Sequence, residues 1–152
     1  MSILNIVTVD IDADFLSTKT TDVDKTHILS NEIQTLIEDM MDTCHHDNGL
    51  GLAANQVGVS ASICIYKEPG KVGFKTLINP VIVAKEGKMT SWEEGCLSIP
   101  GKSFNVKRFK RITVKGLDRD GNPMVIKTKS KQLAKILQHE ICLLYTSDAA
   151  DE

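Results

Sequence analysis

A segment with helical periodicity, from about Asp24 to His46, constrains the fold more than any other feature of the sequence. Its apolar residues recur three and four positions apart, which places them on one face of a helix. The residues on this face are Ile28, Leu29, Ile33, Leu36, Ile37, Met40, Met41 and Cys44. Asp22 or Asp24 could cap the start, and Gly49 follows the end, where a left-handed residue is expected. The pattern predicts an N-terminal amphipathic helix packed against a core.

The middle of the chain is typical of β-structure. Ser62 to Tyr66 and Lys75 to Val83 are rich in Ile and Val, and Pro80 indicates an edge or a bend. Residues 118–122 carry the chemistry of a hairpin turn between two alternating segments. The alternating residues are Ile112, Val114, Met124 and Ile126.

A second helix is predicted from near Ser130, because apolar residues again share one stripe. They are Leu133, Ile136, Leu137 and Ile141. A helix, several strands and a helix, in this order and within 152 residues, predict a single α+β domain.

Composition and charge narrow the classes of function. A formal net charge of -2 gives no electrostatic reason to expect a nucleic acid or an anionic membrane as partner. No apolar run is long enough to span a bilayer, and Met1 to Asn5 lack the pattern of a signal peptide. We therefore expect a cytoplasmic protein and a monomer. The cysteines form no CxxC pair, so most are expected to be small buried side chains.

Three segments carry residues that can do chemistry, and the first is Gly49 to Gln56. Two glycines and two alanines directly after a helix predict a tight turn on the core, or a place where the backbone approaches another group closely. Nucleotide binding fits poorly, since the spacing matches neither a P-loop nor a dinucleotide fingerprint.

The second segment is Glu94 to Pro100. Cys96 stands between Gly95 and Leu97, ahead of a proline, so we expect exposed or irregular backbone there. From composition alone Cys96 could be a nucleophile, a metal ligand or a buried side chain.

The third segment is Gln138 to Ile141, within the second predicted helix. Glu140 lies on or beside the apolar stripe, where an ionised carboxylate is costly unless it is paired or near a metal. His139 and Glu140 form the first half of HExxH, in which two histidines one turn apart bind one metal and the Glu acts as general base. The pair alone is a weak signal.

Taken together and in this order, the three segments resemble the signature motifs of peptide deformylases, which are GxGxAAxQ, EGCLS with an apolar residue and Pro, and QHExDH. The first two are complete here, and the third is kept only from Gln138 to Ile141. The likeness covers most of residues 1–141. It implies a deformylase-like fold, with mixed or antiparallel strands around a central HExxH-type helix, and a catalytic domain at 1–141 that is incomplete.

The resemblance implies a hydrolase that removes the N-formyl group from the initiator methionine of nascent proteins, giving formate and a free N-terminus. Its partners would be N-formyl-Met peptides, and family members can act at the ribosome. The cofactor would be one divalent metal ion, Fe²⁺ natively, with Zn²⁺, Ni²⁺ or Co²⁺ as substitutes. Cys96 and His139 would be metal ligands.

The resemblance also implies roles for five further residues. Glu140 would take a proton from the attacking water and pass it to the leaving amine. The Gln56 side chain and the Leu97 backbone N–H would stabilise the oxyanion. Leu50 and Gly51 would offer backbone hydrogen bonds to the peptide in a strand-like manner.

The third motif breaks after Ile141, where the family has Asp and His and this chain has Cys142 and Leu143. Leu143 stands one turn beyond His139, in the place of the third ligand, and leucine cannot bind a metal. Three interpretations are open. Cys142 could substitute, although it points roughly 100° around the helix from position 143. The protein could be a degenerate deformylase that ends early.

The third interpretation is that residues 142–152 form a tail foreign to the family. Their sequence, CLLYTSDAADE, matches from Cys142 to Asp151 a translated reading frame of a common transposase-based sequencing adapter. We expect this third explanation, and with it weak metal binding and little activity for the chain as written.

Two other functions remain as alternatives. One is a cysteine hydrolase with Cys96 as nucleophile, His139 as base and Glu140 as orienting group, although adjacent residues on a helix point about 100° apart. The other is an inactive deformylase fold kept as a peptide-binding protein. The basic stretch from Gly101 to Arg111, which includes Arg108, is expected to be a solvated strand face.

Overall fold

An antiparallel five-stranded sheet with helices on both faces positions the cavity described below. The structure is a computed structural model and describes residues 2–145. The elements are α1 (Val9–Leu16), α2 (Asn31–His46), β1 (Gly51–Ala53), β2 (Ile63–Lys67), β3 (Phe74–Cys96), β4 (Ile99–Leu117), β5 (Pro123–Lys127) and α3 (Lys131–Tyr145). The predicted α+β class is confirmed, whereas α1 was not indicated by the sequence pattern.

Helix α2 begins later than its periodicity indicated. It starts at Asn31, where the Ser30 hydroxyl accepts a hydrogen bond from the backbone N–H three residues on. Asp24 instead caps a separate 3-10 turn at Lys25–His27. The predicted start at Asp24 was therefore wrong, because two good capping residues stand in one apolar-periodic run and the second begins the α-helix.

The end of α2 also differs from the prediction. The left-handed residue is Asn48, with φ of 56°, and not Gly49. Gly49 is required for a different reason, since a Cβ there would lie 2.8 Å from the Cys44 sulfur. The Gly49 N–H donates to the Cys44 carbonyl at 2.9 Å, which turns the chain directly into β1.

The sheet has the order β1-β2-β3-β4-β5, and every neighbouring pair is antiparallel. Pro80 lies in a bulge of the central strand β3, where the pairing with β4 shifts between Ile78 and Val81. It therefore marks a bend and not an edge. In the described part of the chain β1 pairs only with β2, so its other backbone edge is open.

Two apolar layers pack on opposite faces of the sheet. One layer joins α3 to sheet residues that include Ala53, Cys64 and Leu77. The other joins α2 to sheet residues that include Leu52, Ile63 and Ile78. Successive residues of β1 thus face different helices, as the period-two geometry of a strand requires.

Helix α3 begins directly after Ser130, whose hydroxyl accepts a hydrogen bond from the Leu133 N–H at 3.0 Å. Gln138 ties it to β4 by bonding both the N–H and the carbonyl of Phe109, at 2.9 and 2.8 Å. The helix continues through Cys142 and Leu143, and Leu143 is buried. Within residues 2–145 no helix is both long and apolar enough to cross a membrane.

The last seven residues of the tail predicted at 142–152 lie outside the described residues. Residues 142–145 form the last turn of α3, and the Leu144 carbonyl accepts a hydrogen bond from the Thr20 N–H at 2.8 Å. The structure therefore describes the first four positions of that tail as helix packed on the core.

We expect Cys44 and Cys64 to resist alkylation in the native protein. Burial raises the pKa of the Cys44 thiol to about 12 and that of the Cys64 thiol well above its ordinary value. Since the thiolate is the reactive form, both should react with iodoacetamide at pH 7.5 far more slowly than the half-buried Cys96. Peptide mass spectrometry of native and urea-unfolded samples measures the rates, and equal labelling of the three cysteines in the native sample would contradict the prediction.

Candidate active site

One cavity of about 730 Å³ lies where α3, the β3–β4 turn and the chain after α2 meet. All seven residues singled out from the sequence line it. They are Leu50, Gly51, Gln56, Cys96, Leu97, His139 and Glu140. Three motifs separated along the chain are thus brought together in space. The chemical roles assigned to these residues stay predictions.

Cys96 lies at the tip of the hairpin formed by β3 and β4. It ends β3 and pairs with Ile99, the first residue of β4, so that Leu97 and Ser98 form the turn. The expectation of irregular backbone agrees with the shift in pairing register between Gly95 and Cys96, at the tip of the long β3–β4 hairpin. A cysteine fixed in this way is half-buried and faces the cavity.

Gln56 is oriented by three contacts. Its Oε1 accepts a hydrogen bond from the Ala53 N–H at 3.0 Å, and its Nε2 donates to the Ser98 hydroxyl at 3.2 Å and to the Cys96 sulfur at 3.5 Å. The side chain is buried. The amide donor is therefore held beside Cys96, in a place where a donor can stabilise developing negative charge.

A buried ion pair fixes the orientation of His139. Arg108 donates from Nε and Nη2 to the two carboxylate oxygens of Glu94, both at 3.0 Å. His139 Nδ1 lies 3.1 Å from Glu94 Oε1. Arg108 is only 6% exposed, so the expectation that it belongs to a solvated strand face was wrong. Its neighbours Lys102 and Lys107 are exposed.

The ionisation of Glu94 follows from these contacts. Burial opposes the charged carboxylate, but the hydrogen bonds from His139 and Arg108 outweigh it and hold the pKa of Glu94 below its ordinary value. A carboxylate on Nδ1 favours the imidazole form with a proton there, which presents Nε2 as a lone-pair donor.

Glu140 is buried at the cavity wall, and the backbone of β1 passes close to it. A Cβ on Gly51 would lie 2.6 Å from Glu140 Oε2. Because glycine has no side chain, position 51 leaves room for the Glu140 carboxylate. The close approach that the glycine-rich segment predicted is found here, between β1 and α3.

The cavity contains two side chains of a kind that bind metal ions, Cys96 and His139. A cysteine sulfur and a histidine nitrogen are ligand types that suit zinc and other transition metals. Leu143 occupies the third position, however, and within residues 2–145 no group of three or more His, Cys, Asp or Glu side chains could hold a metal. The residues present do not make a complete metal site.

Sequence patterns did not single out several residues of the cavity and its support. They are Trp92, Arg108 and Lys135. The sequence offered only opposite charges for the ion pair, with Glu94 in the second motif and Arg108 in the basic stretch from Gly101 to Arg111. Nothing in the sequence pairs Lys135 with Trp92.

The sequence matches the family model described as Polypeptide deformylase over residues 3–145. The chain belongs to this family. It is 41% identical over 112 residues to peptide deformylase 1 of Clostridium perfringens, covering 74% of this chain and 75% of that protein. It is 46% identical over 112 residues to a Dehalococcoides mccartyi peptide deformylase, covering 74% of this chain and 66% of that one.

Solved deformylase structures share the fold. The peptide deformylase of Ehrlichia chaffeensis, in complex with actinonin, superposes with a TM-score of 0.86 and 40% identity, covering 95% of this chain and 84% of that one. A class I type b deformylase of Acinetobacter baumannii with bound Met-Ala-Ser gives 0.91 at 26% identity, with both chains fully covered. Peptide deformylases are hydrolases that remove N-formyl groups from nascent peptides with a catalytic divalent metal.

Replacing the buried carboxylate, Glu94→Gln, should lower the free energy of unfolding by about 3 kcal/mol, because it leaves the Arg108 charge buried without its counter-ion. Urea unfolding measures the change. The matched control is Glu93→Gln at the neighbouring exposed position, for which we expect a change within about 0.5 kcal/mol. Equal effects of the two substitutions would show that the buried pair does not stabilise this fold.

Proposed function

We propose that the catalytic domain of this chain hydrolyses the formamide bond of N-formyl-methionyl peptides, releasing formate and a free N-terminus. The observation that carries the proposal is the convergence of Cys96, His139, Glu140 and Gln56 on one cavity beside the open edge of β1. Family membership supplies the reaction class. We further propose that the protein acts as a monomer in the cytoplasm, where formylated chains emerge from the ribosome.

The peptide is proposed to bind along β1. Backbone groups of Leu50 and Gly51 line the cavity, and the outer edge of β1 is available for strand-like pairing. The Met-Ala-Ser peptide bound by the Acinetobacter baumannii relative supports a short peptide as the occupant. This arrangement would present the N-terminal formyl group toward Cys96 and His139.

Three groups are proposed to stabilise the reaction. The Gln56 amide, oriented by Ala53, and the Leu97 backbone N–H would donate hydrogen bonds to the oxyanion formed at the formyl carbon. Glu140 would take a proton from the attacking water and deliver it to the leaving amine. Its confinement by β1 keeps the carboxylate at the cavity wall for both transfers.

Cys96 and His139 are proposed as two ligands of a divalent metal, Fe²⁺ natively, with Zn²⁺, Ni²⁺ or Co²⁺ as substitutes. In the family this metal activates water and polarises the formyl oxygen. Two ligands hold such an ion far more weakly than three. We therefore propose that the chain as written binds metal weakly and turns over little substrate.

We propose that residues 142–152 are foreign to the native protein, in which Asp and His would occupy positions 142 and 143. Sequencing the gene from a library prepared without transposase adapters should give codons other than those for Cys142 to Glu152. Recovery of the same eleven codons would overturn this proposal and favour a degenerate deformylase.

The double substitution Cys142→Asp with Leu143→His should restore metal binding and deformylation. Without metal, the free energy of unfolding of this variant should be about 3 kcal/mol lower than that of the parent chain, because a polar ring replaces a buried leucine. Added Ni²⁺ or Co²⁺ should recover that stability and give formate release from a formyl-Met peptide. Thermal unfolding, metal analysis and a formate assay measure the three effects.

The matched control is Cys142→Asp with Leu143→Gln, which also buries a polar group but offers no imidazole ligand. It should lose the same stability and recover none of it with metal. If the histidine variant binds metal and peptide but releases no formate, the chain is a peptide-binding protein and the proposed activity is wrong.

A cysteine hydrolase remains as a second candidate because of one observation. Glu94 lies against His139, with 3.1 Å between its Oε1 and His139 Nδ1. Cys96, His139 and Glu94 could thus act as nucleophile, base and orienting group. Hydrolysis that persists in the parent chain after complete removal of metal by a chelator would favour this mechanism, whereas loss of all activity would exclude it.

A further inference from the structure

Ser98 is a buried serine to which the proposed reaction assigns no role. It lies beside Leu97 in the turn between β3 and β4, and its side chain is fully buried. Its hydroxyl accepts a hydrogen bond from Gln56 Nε2 at 3.2 Å. Ser98 does not line the cavity, so any effect on a bound peptide must pass through a neighbouring side chain.

The Gln56 amide is held at both of its ends. Its Oε1 accepts a hydrogen bond from the Ala53 N–H at 3.0 Å, which leaves the NH₂ end as the donor. One hydrogen bond alone still allows the amide to turn about it. The bond to Ser98 adds a second fixed point, whereas the Cys96 sulfur, 3.5 Å from Nε2, is a weak acceptor as a thiol. The Ser98 hydroxyl is therefore the main restraint on the donor end.

The bond between Gln56 and Ser98 also joins two separate parts of the chain. Gln56 belongs to the 3-10 turn Ala54–Val57 after β1, and Ser98 follows Leu97 in the hairpin turn. The two groups proposed to stabilise the oxyanion, the Gln56 amide and the Leu97 N–H, come from these two parts. Such donors are effective when their positions are set before the reaction, and a displacement of about 1 Å can lower a rate by roughly a hundredfold.

We propose that Ser98 is a positioning residue, whose hydroxyl holds the Gln56 amide in a fixed position relative to the Leu97 N–H so that both donate to the same oxyanion. The inference rests on the proposed function, since it concerns the two groups which that function assigns to the oxyanion. Ser98 itself contacts neither the peptide nor the reacting atoms.

A purely structural role for the Ser98 hydroxyl is the alternative, because a buried hydroxyl needs a hydrogen-bond partner. Thr128 provides the matched control. It is also buried, its hydroxyl bonds the N–H and the carbonyl of Ile112 at 3.0 and 3.2 Å, and it lies outside the cavity. Ser98→Ala and Thr128→Val each remove one buried hydroxyl, so both should lower stability, but only Ser98→Ala should affect the site.

The first measurement is NMR spectroscopy of the isotope-labelled parent chain, and it needs no metal. The side-chain NH₂ signals of Gln56, identified by their absence in Gln56→Ala, are followed for exchange with water. We expect Ser98→Ala to speed this exchange about tenfold, because the loss of one hydrogen bond frees the amide. Thr128→Val should leave the exchange rate within about twofold of that in the parent chain.

The second measurement uses the Cys142→Asp, Leu143→His variant with Ni²⁺ and a formyl-Met peptide. In this background Ser98→Ala should lower kcat about tenfold or more and leave KM within about twofold, because the two donors stabilise the transition state and not the bound peptide. Thr128→Val should leave both constants within about twofold.

Adding Ser98→Ala to a Gln56→Ala enzyme separates action through the Gln56 amide from any other effect. If Ser98 acts through that amide, the second substitution should change kcat by less than about twofold. A full tenfold loss in the Gln56→Ala background, an unchanged kcat in Ser98→Ala, or an exchange rate that Ser98→Ala does not alter would each overturn the inference.

The failure of this inference and the failure of the proposed function give different results. If the metal-restored variant releases no formate while Ser98→Ala still speeds the Gln56 exchange, the proposed function is wrong and Ser98 remains the residue that holds the amide. If that variant releases formate and Ser98→Ala leaves its kcat unchanged, the proposed function stands and this inference is wrong.

Discussion

The buried pair of Glu94 and Arg108 connects the parts of this molecule that must meet for a site to exist. It joins β3 to β4 near the tip of their hairpin, and Glu94 also reaches His139 on α3. Either charge alone would be costly to bury, by several kcal/mol. Together they are satisfied, and the geometry that satisfies them also sets the position of the histidine ring. Stability and site geometry thus depend on the same three side chains.

Local patterns predicted the class of each major element but not its ends. The apolar periodicity of α2 extends before its real start, since Asp24 and Ser30 are both good capping residues and the sequence does not rank them. Asn48 takes the left-handed conformation that glycine usually supplies. Glycine is needed at position 49 because a side chain there would clash with the Cys44 sulfur, and that contact depends on how α2 and β1 pack. Tertiary packing therefore fixes the helix ends that local propensity does not determine.

The residues of the candidate site also fall into two groups, those that the sequence predicted and those that it did not. Residues carried by the three motifs could be placed together from sequence, because motif residues share a function and hence a location. Arg108 and Lys135 could not, since their roles arise only from tertiary contacts. The sequence suggested that Arg108 was one charge of a basic strand, but the side chain is buried and paired with Glu94. Lys135 lies on α3 with its ammonium over the Trp92 ring.

Position 143 shows how a metal site and an apolar core compete for one residue. Leu143 packs in the α3 layer, where a buried leucine contributes about 2 kcal/mol without any ligand. A histidine there would cost stability until a metal bound it, so the fold would depend on metal. The Leu143 carbonyl accepts a hydrogen bond from Asn55 Nδ2 at 2.7 Å whatever side chain follows. This backbone bond would hold the last turn of α3 in register, so that a ligand restored at this position meets an already oriented His139.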